Sequence, residues 1–424
     1  MILFQEGKRY EPSTPRDQLT MFAVLLALIF ARSPVLLIHG RVVAEEGTVY
    51  LQYAWNHPCL PALFATHLGY FSLCPNLFTI LATRIVPLEW AALALCYFSL
   101  AVQLLTAFWA INCERFRSNK IRLLAAIICL FCATSREAWL NTINSQFYLL
   151  ICTILILVSS GERLRLLRNS TLILAGLTGP VSCFLVPLFW VRYIRERSRG
   201  ALLFAITISS AAIVQAFAIM TAHSTGTRAL SHPLKYLAVG PAVVFKSVLS
   251  PFATVYSTAA LSRILRPGFS LEIYVIMAVV AYVIAIAFAL FLAWMFKLSE
   301  YDGKWLISAG LVSLAFNYVG SLGNFQGEIT GGERYFFACN VSLALAILLM
   351  YQRSDLTVPA KKIFTTLLAL SLLSALSDTT YRWHRYQMGP SWNKQVALWR
   401  QNPNHPIAVW PANWKGIRLD RRGK

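Results

Sequence analysis

Residues 271–297 read LEIYVIMAVVAYVIAIAFALFLAWMFK. Between Glu272 and Lys297 no residue carries a charge. A helix rises about 1.5 Å per residue, so this run is long enough to cross ~30 Å of hydrocarbon. That layer offers no water to open backbone groups, so the run must be helical. Similar runs at 19–38, 88–112, 122–140, 143–160, 201–221, 305–321, 335–351 and 361–377 bring the predicted crossings to nine. The stretch 169–190 is apolar too, but Gly179-Pro180 interrupts it. Arg163, Arg165 and Arg168 precede it, and Arg192, Arg195, Arg197 and Arg199 follow it. Cationic flanks favour the cytoplasmic side, so the stretch reads as a re-entrant hairpin or two short tilted spans.

The whole chain agrees with this reading. Of 424 residues, 57% are hydrophobic and 13% charged, with a mean hydropathy of +0.57. Soluble domains carry roughly 25% charged residues, so a soluble globular protein and a nucleic-acid-binding tail protein are both excluded. The net charge of +20 sets orientation and meets anionic headgroups. The predicted inner segments hold 19 basic residues, and the outer segments before position 378 hold nine. The N-terminus is therefore predicted inside, and the tail 378–424 outside. The first apolar run, with its polar lead, reads as an uncleaved anchor rather than a signal peptide cut after Ala44.

The expected fold is thus an all-α polytopic membrane protein of about nine to eleven transmembrane helices, with interfacial helices and a small C-terminal tail on the outer face. Residues 1–377 form the multi-span domain, including outer loop 39–87 and outer segment 222–270. Residues 378–424 form the tail. In the tail, Pro390-Ser391 offers a helix start, and Trp392, Val396 and Trp399 share one helical stripe. Ile407 to Trp410 reads as a short extended run. Its five Trp residues suit an interfacial anchor or an acceptor-binding lid.

Polar chemistry concentrates on the predicted outer side, where all seven His fall. In loop 39–87, Glu45 and Glu46 lie just beyond the first span, before an amphipathic run from Thr48 to Trp55. Two carboxylates at one turn suit hydroxyl activation or a divalent cation. A solvated helix N-terminus is the alternative. Arg41 and His57 share the loop as candidate substrate contacts. Cys59 and Cys74 are either a disulfide or two free thiols, and six other Cys sit in or beside apolar runs as inert core.

A second polar turn runs from Ser135 to Tyr148. Arg136, Glu137, Asn144 and Gln146 there read as phosphate or sugar contacts, or as a self-contained ion pair completed by amides. A third runs from Asn324 to Phe336, with Glu328, Glu333, Arg334 and Tyr335 beside three glycines. Arg334 opens a span, where a guanidinium can grip phosphate oxygens or anchor the helix at the interface. In segment 222–270, His232 and Lys235 belong to a basic surface suited to phosphate or anionic lipid. No Walker sequence is present, so an ATP-driven pump within the chain is disfavoured.

This layout resembles integral-membrane glycosyltransferases of the GT-C superfamily, the bacterial members in particular. The resemblance rests on Ala44-Glu45-Glu46-Gly47 after the first span and on the interfacial helix behind it. The family pattern has at least one Asp in the acidic pair, whereas this chain has Glu-Glu. The resemblance implies a polyprenyl-phosphate sugar donor and a glycan or lipid acceptor of the cell envelope. Glu45 or Glu46 would deprotonate or orient the acceptor, and Arg334 or Arg136 would hold the donor phosphate. The site would face the periplasm or exterior from a bacterial inner membrane, among membrane lipids and with no nucleic-acid partner. The resemblance fixes no cofactor, and a divalent cation at the acidic pair is one reading. Two rival readings are an O-antigen-type polymerase or ligase, centred on 222–270, and a lipid or glycan transporter. A transporter would place charges deep within several spans.

Overall fold

The computed structural model describes residues 13–159, 164–221, 244–254, 271–322, 332–380 and 389–420. The chain begins with α1 (Pro15–Arg32) and α2 (Pro34–His39). Glu46–Leu51 winds as a π-helix into α3 (Gln52–Asn56), followed by α4 (Cys59–Phe64). A two-stranded hairpin, β1 (Thr66–His67) and β2 (Tyr70–Phe71), leads to α5 (Leu73–Arg84). Then come α6 (Ala91–Ile111), α7 (Asn119–Phe131), α8 (Ser145–Val158), α9 (Arg165–Leu177), α10 (Val186–Glu196) and α11 (Arg199–Thr221). The described helices end with α12 (Leu271–Leu298), α13 (Tyr301–Leu322), α14 (Arg334–Tyr351), α15 (Val358–Thr380) and α16 (Trp392–Gln401).

Among the described residues, five helical stretches are long and apolar enough to cross a membrane: Leu88–Ile111, Arg199–Thr221, Val279–Leu298, Arg334–Tyr351 and Val358–Thr380. This is an all-α, multi-pass membrane architecture. The remaining predicted spans also hold helices, but three of them are cut short for visible reasons. The run 19–38 breaks at Ser33, because Pro34 cannot donate to the α1 ladder and instead opens α2. The run 122–140 is helical only to Phe131. Its 13 residues rise about 20 Å, well short of the hydrocarbon layer. Ser145–Val158 is similarly short, with 14 residues. The polar turn 132–144 connects the end of α7 to the start of α8.

Every residue of α8 is buried, and α14 beside it is nearly so. These two form the core of the bundle, with α6, α9 and α13 packed around them. The C-terminal end of α8 is closed by arginines. Arg192 Nη1 donates to the carbonyls of Ile156 and Leu157, and Arg115 Nε donates to that of Val158. Arg168 meets Glu114 at 3.4 Å in the same region. Both ends of the α9–α10 unit therefore lie at one end of α8, an arrangement common to a re-entrant hairpin and to two short tilted spans. Gly179, at φ 111°, makes the reversal, and a Cβ there would lie 2.3 Å from Gln146 Oε1. Only glycine permits both.

Residues 389–420 are ordered against the first loop. Trp392, Val396 and Trp399 of α16 are buried with Ile407, Val409 and Ile417 against Val42, Leu51, Leu88 and Leu95. The stripe serves as a core, and the loop helix that carries Leu51 is covered by protein. Trp414, at 40% exposure, keeps an open face. Cys59 and Cys74 are free thiols, and of the six other Cys assigned to apolar core, all but the half-buried Cys183 are buried.

Candidate functional site

The first acidic turn divides its two carboxylates between different tasks. Ala44 sits in the left-handed region at φ 44° and leads into a helical turn, where the helical backbone of Glu45 points successive side chains about 100° apart. Glu46 is fully buried. Its Oε1 accepts from Thr142 N at 2.7 Å and Thr142 Oγ1 at 2.6 Å, and its Oε2 accepts from Val43 N at 3.1 Å. Burial pushes its pKa up, opposed by these donors. Glu46 thus staples the first polar turn to the second. Glu45 is half-buried and, among the described residues, makes no hydrogen bond or ion pair. Its charge is felt at the Arg334 guanidinium and at the Tyr50 phenol. With Glu46 turned inward, the pair does not present two free carboxylates to a shared cation. Among the described residues, no three His, Cys, Asp or Glu side chains converge as a metal site.

Removing the Glu46 charge should therefore register as lost stability. Glu46→Gln places an amide N–H₂ opposite an N–H or O–H donor and should lower stability by about 1–3 kcal/mol. Thermal unfolding in detergent measures this, and a variant as stable as wild type would contradict the staple.

The second and third polar turns meet in one charge network. Arg136 Nη2 lies 3.0 and 3.1 Å from the two carboxylate oxygens of Glu333, and its Nε lies 2.9 Å from Asp378 Oδ1. Asp378 Oδ2 accepts from Arg32 Nη2 at 3.0 Å. Arg32 also donates to Ser135 Oγ and stacks over the Trp139 ring at 4.0 Å. Beside this chain, Glu137 Oε1 accepts from Gly332 N at 3.1 Å, and its Oε2 lies 3.5 Å from Arg334 Nη1. Asn141 and Asn144 hold the turn by donating to the Glu137 carbonyl at 2.8 and 2.7 Å. Lys246 is buried over the Phe336 ring at 5.4 Å, and its Nζ is 4.0 Å from the position a Cβ of Gly332 would take.

The cations are graded in exposure. The side chains of Arg32, Arg136 and Arg334 are 5%, 17% and 29% exposed. Arg334 lies over the Tyr335 ring at 5.1 Å. It is thus the most open guanidinium of the three, and Glu45 is a half-buried carboxylate of the first turn.

Other predicted residues fall around this centre. Gln146 lies between Gly179 and the Tyr70 hydroxyl, 3.5 Å from its Nε2. His57 is exposed, stacked on Tyr53 at 3.8 Å, while His67 meets both Tyr50 and Tyr53 edge-on. Burial pushes His67 down to about 4, so it is neutral at ordinary pH. Arg41 is buried against Gly389, away from Arg334's turn. His232, Lys235 and Glu328 lie outside the described residues. Three members of the network, Arg32, Lys246 and Asp378, are not among the sequence-derived candidates. Arg32 inside an apolar run was their signal, since a charge at membrane depth demands a partner.

No protein-family model, curated protein or solved structure matches this chain. The functional reading therefore rests on the site itself.

Proposed function

We propose that the chain is a membrane glycosyltransferase of the GT-C type. It moves a sugar from a polyprenyl-phosphate donor to a cell-envelope glycan or lipid acceptor at the outer face of the bacterial inner membrane. The observation that carries this reading is a carboxylate with no side-chain partner among the described residues, Glu45, in a chain whose charge network leaves Arg334 as its most open guanidinium. Glu45 takes the proton of the attacking acceptor hydroxyl. Arg334 binds the donor phosphate through its planar fork and stabilises the charge that develops as the sugar–phosphate bond breaks. Glu137 holds Arg334 from behind. The ion-paired chain of Arg32, Asp378, Arg136 and Glu333, buried at its Arg32–Asp378 end and half-buried at Arg136 and Glu333, links the second and third turns. In this reading the bundle comprises nine to eleven crossings, with the first loop outward.

Arg334→Ala should weaken binding of a polyprenyl-phosphate sugar about 10- to 100-fold, the worth of a charge-assisted contact. Arg334→Lys should recover only part of this. Equilibrium binding of labelled donor to purified protein measures both, and unchanged affinity in Arg334→Ala would remove the assignment.

One observation favours a second reading. The Arg32–Asp378 pair is buried between helices, the type of charge that transporters use. A transporter would move a labelled lipid or glycan across sealed vesicles without cleaving it. The transferase would release lipid phosphate.

A further inference from the structure

We propose that the C-terminal segment 389–420 is part of the candidate site, acting as a splint that fixes the direction of Glu45. Its catalytic consequence rests on Glu45 being the base, but the mechanical claim stands on geometry alone. The contact is made by backbone. Trp410 N donates to Val42 O at 3.0 Å, and Ala44 N donates to Trp410 O at 2.6 Å, so Trp410 pairs in parallel with Val43. This bridge ends one residue before Glu45.

The turn it grips is a strained one. Ala44 holds a positive φ, which a residue with a Cβ adopts only when its surroundings enforce it. Bonds within the turn and from outside it enforce it. Within the turn, Glu46 N donates to Val43 O at 2.8 Å, Gly47 N donates to Ala44 O at 3.1 Å, and the Glu46 carboxylate closes back on Val43 N. From outside, Trp410 clamps Val42 and Ala44. The tail bridge thus grips the backbone from a distant segment, immediately before Glu45.

The splint is itself braced. Ile407 and Ile417 pair through both backbone groups, at 2.9 and 2.8 Å, closing a loop behind Trp410. Gln52 Oε1 accepts from Arg418 N at 3.0 Å, and Trp55 Nε1 donates to Asp420 O at 2.8 Å. The fit to the loop helix leaves no slack. A Cβ at Gly47 would lie 2.8 Å from Val409 Cγ1 and 2.9 Å from Ile417 Cδ1. Trp392, Trp399 and Trp410 are buried in this joint, so their bulk supplies rigidity, neither resting on lipid nor closing over the site as a lid.

A thiol reporter at position 45 tests the splint without any substrate. In a Cys59→Ser background, which removes the exposed thiol, Glu45→Cys is alkylated with a maleimide across a pH series. A thiol held beside the Arg334 guanidinium ionises early and reacts faster at neutral pH. In the full chain, Arg334→Gln should slow this reaction at least about threefold. After truncation at residue 388, the same substitution should have no effect, because the reporter thiol no longer faces Arg334. Val396→Asp, which buries a charge in the tail joint and expels it, is the second variant and should behave as the truncation does. Either variant, folded by its helical circular dichroism, overturns the splint if it retains the Arg334-dependent pH profile. In a transfer assay, splint loss should lower kcat and leave the donor KM unchanged. An Arg334-sensitive reporter with no transfer at all by the wild-type chain would refute the glycosyltransferase reading and leave the splint standing.

Discussion

Glu45→Gln is expected to lower sugar transfer by about 10²–10⁴-fold, the usual loss when a general base is removed. The substitution keeps the shape of the side chain and deletes only its basic oxygen. Because Glu45 makes no hydrogen bond or ion pair among the described residues, protein stability should hardly change. Glu46→Gln should give the opposite pattern, because its carboxylate is occupied by Thr142 and Val43. Turnover measured alongside thermal unfolding separates the two. A Glu45→Gln protein with wild-type turnover would exclude this residue as the base.

Asp378→Ala should destabilise the folded protein by about 3–5 kcal/mol, the cost of leaving buried charge uncompensated. Asp378 serves two arginines, Arg32 at 3.0 Å and Arg136 at 2.9 Å, and its own side chain is 3% exposed. The double variant Arg32→Met with Asp378→Leu should recover much of the loss, since apolar side chains of similar volume can replace a buried pair. Unfolding in detergent reads both effects. A fully stable Asp378→Ala protein would show that the ion-paired chain does not hold the helices. A stable double variant that has lost transport or transfer would instead give the pair a direct functional role.

The helical bundle was legible because apolar length is written directly into the chain. The uncharged run before Lys297 needs no tertiary information to be a membrane helix. The Gly179-Pro180 break was equally plain, since the chain can reverse there and cannot continue a helix. Span ends were less legible. Cys132 to Leu140 lies within the predicted span 122–140, but the Asn141 and Asn144 side chains donate to the Glu137 carbonyl and this stretch folds into a turn. Hydropathy does not contain that hydrogen bonding.

The site was legible as three separate polar turns, and their meeting was not. Arg136 and Glu333 lie 197 positions apart, and Arg32 and Asp378 lie 346 apart. Such pairings depend on how helices pack, which periodicity does not encode. Nor could local sequence assign different tasks to Glu45 and Glu46. Their separation follows from the helical turn they open and from Thr142, far along the chain, which holds only Glu46. The helix stripe of the tail was visible in the spacing of Trp392, Val396 and Trp399. Its partner, the loop helix carrying Leu51, was not, because an amphipathic run suits a membrane surface and a protein surface equally.

The most direct test of the central claim is transfer of radiolabelled sugar from polyprenyl-phosphate donors to envelope acceptors in membranes containing the protein. The account predicts labelled acceptor and released lipid phosphate with the wild-type chain, and a loss of about 10²–10⁴-fold with Glu45→Gln. Folded wild-type protein that transfers no sugar from any polyprenyl-phosphate donor, or transfer unaffected by Glu45→Gln, would contradict it.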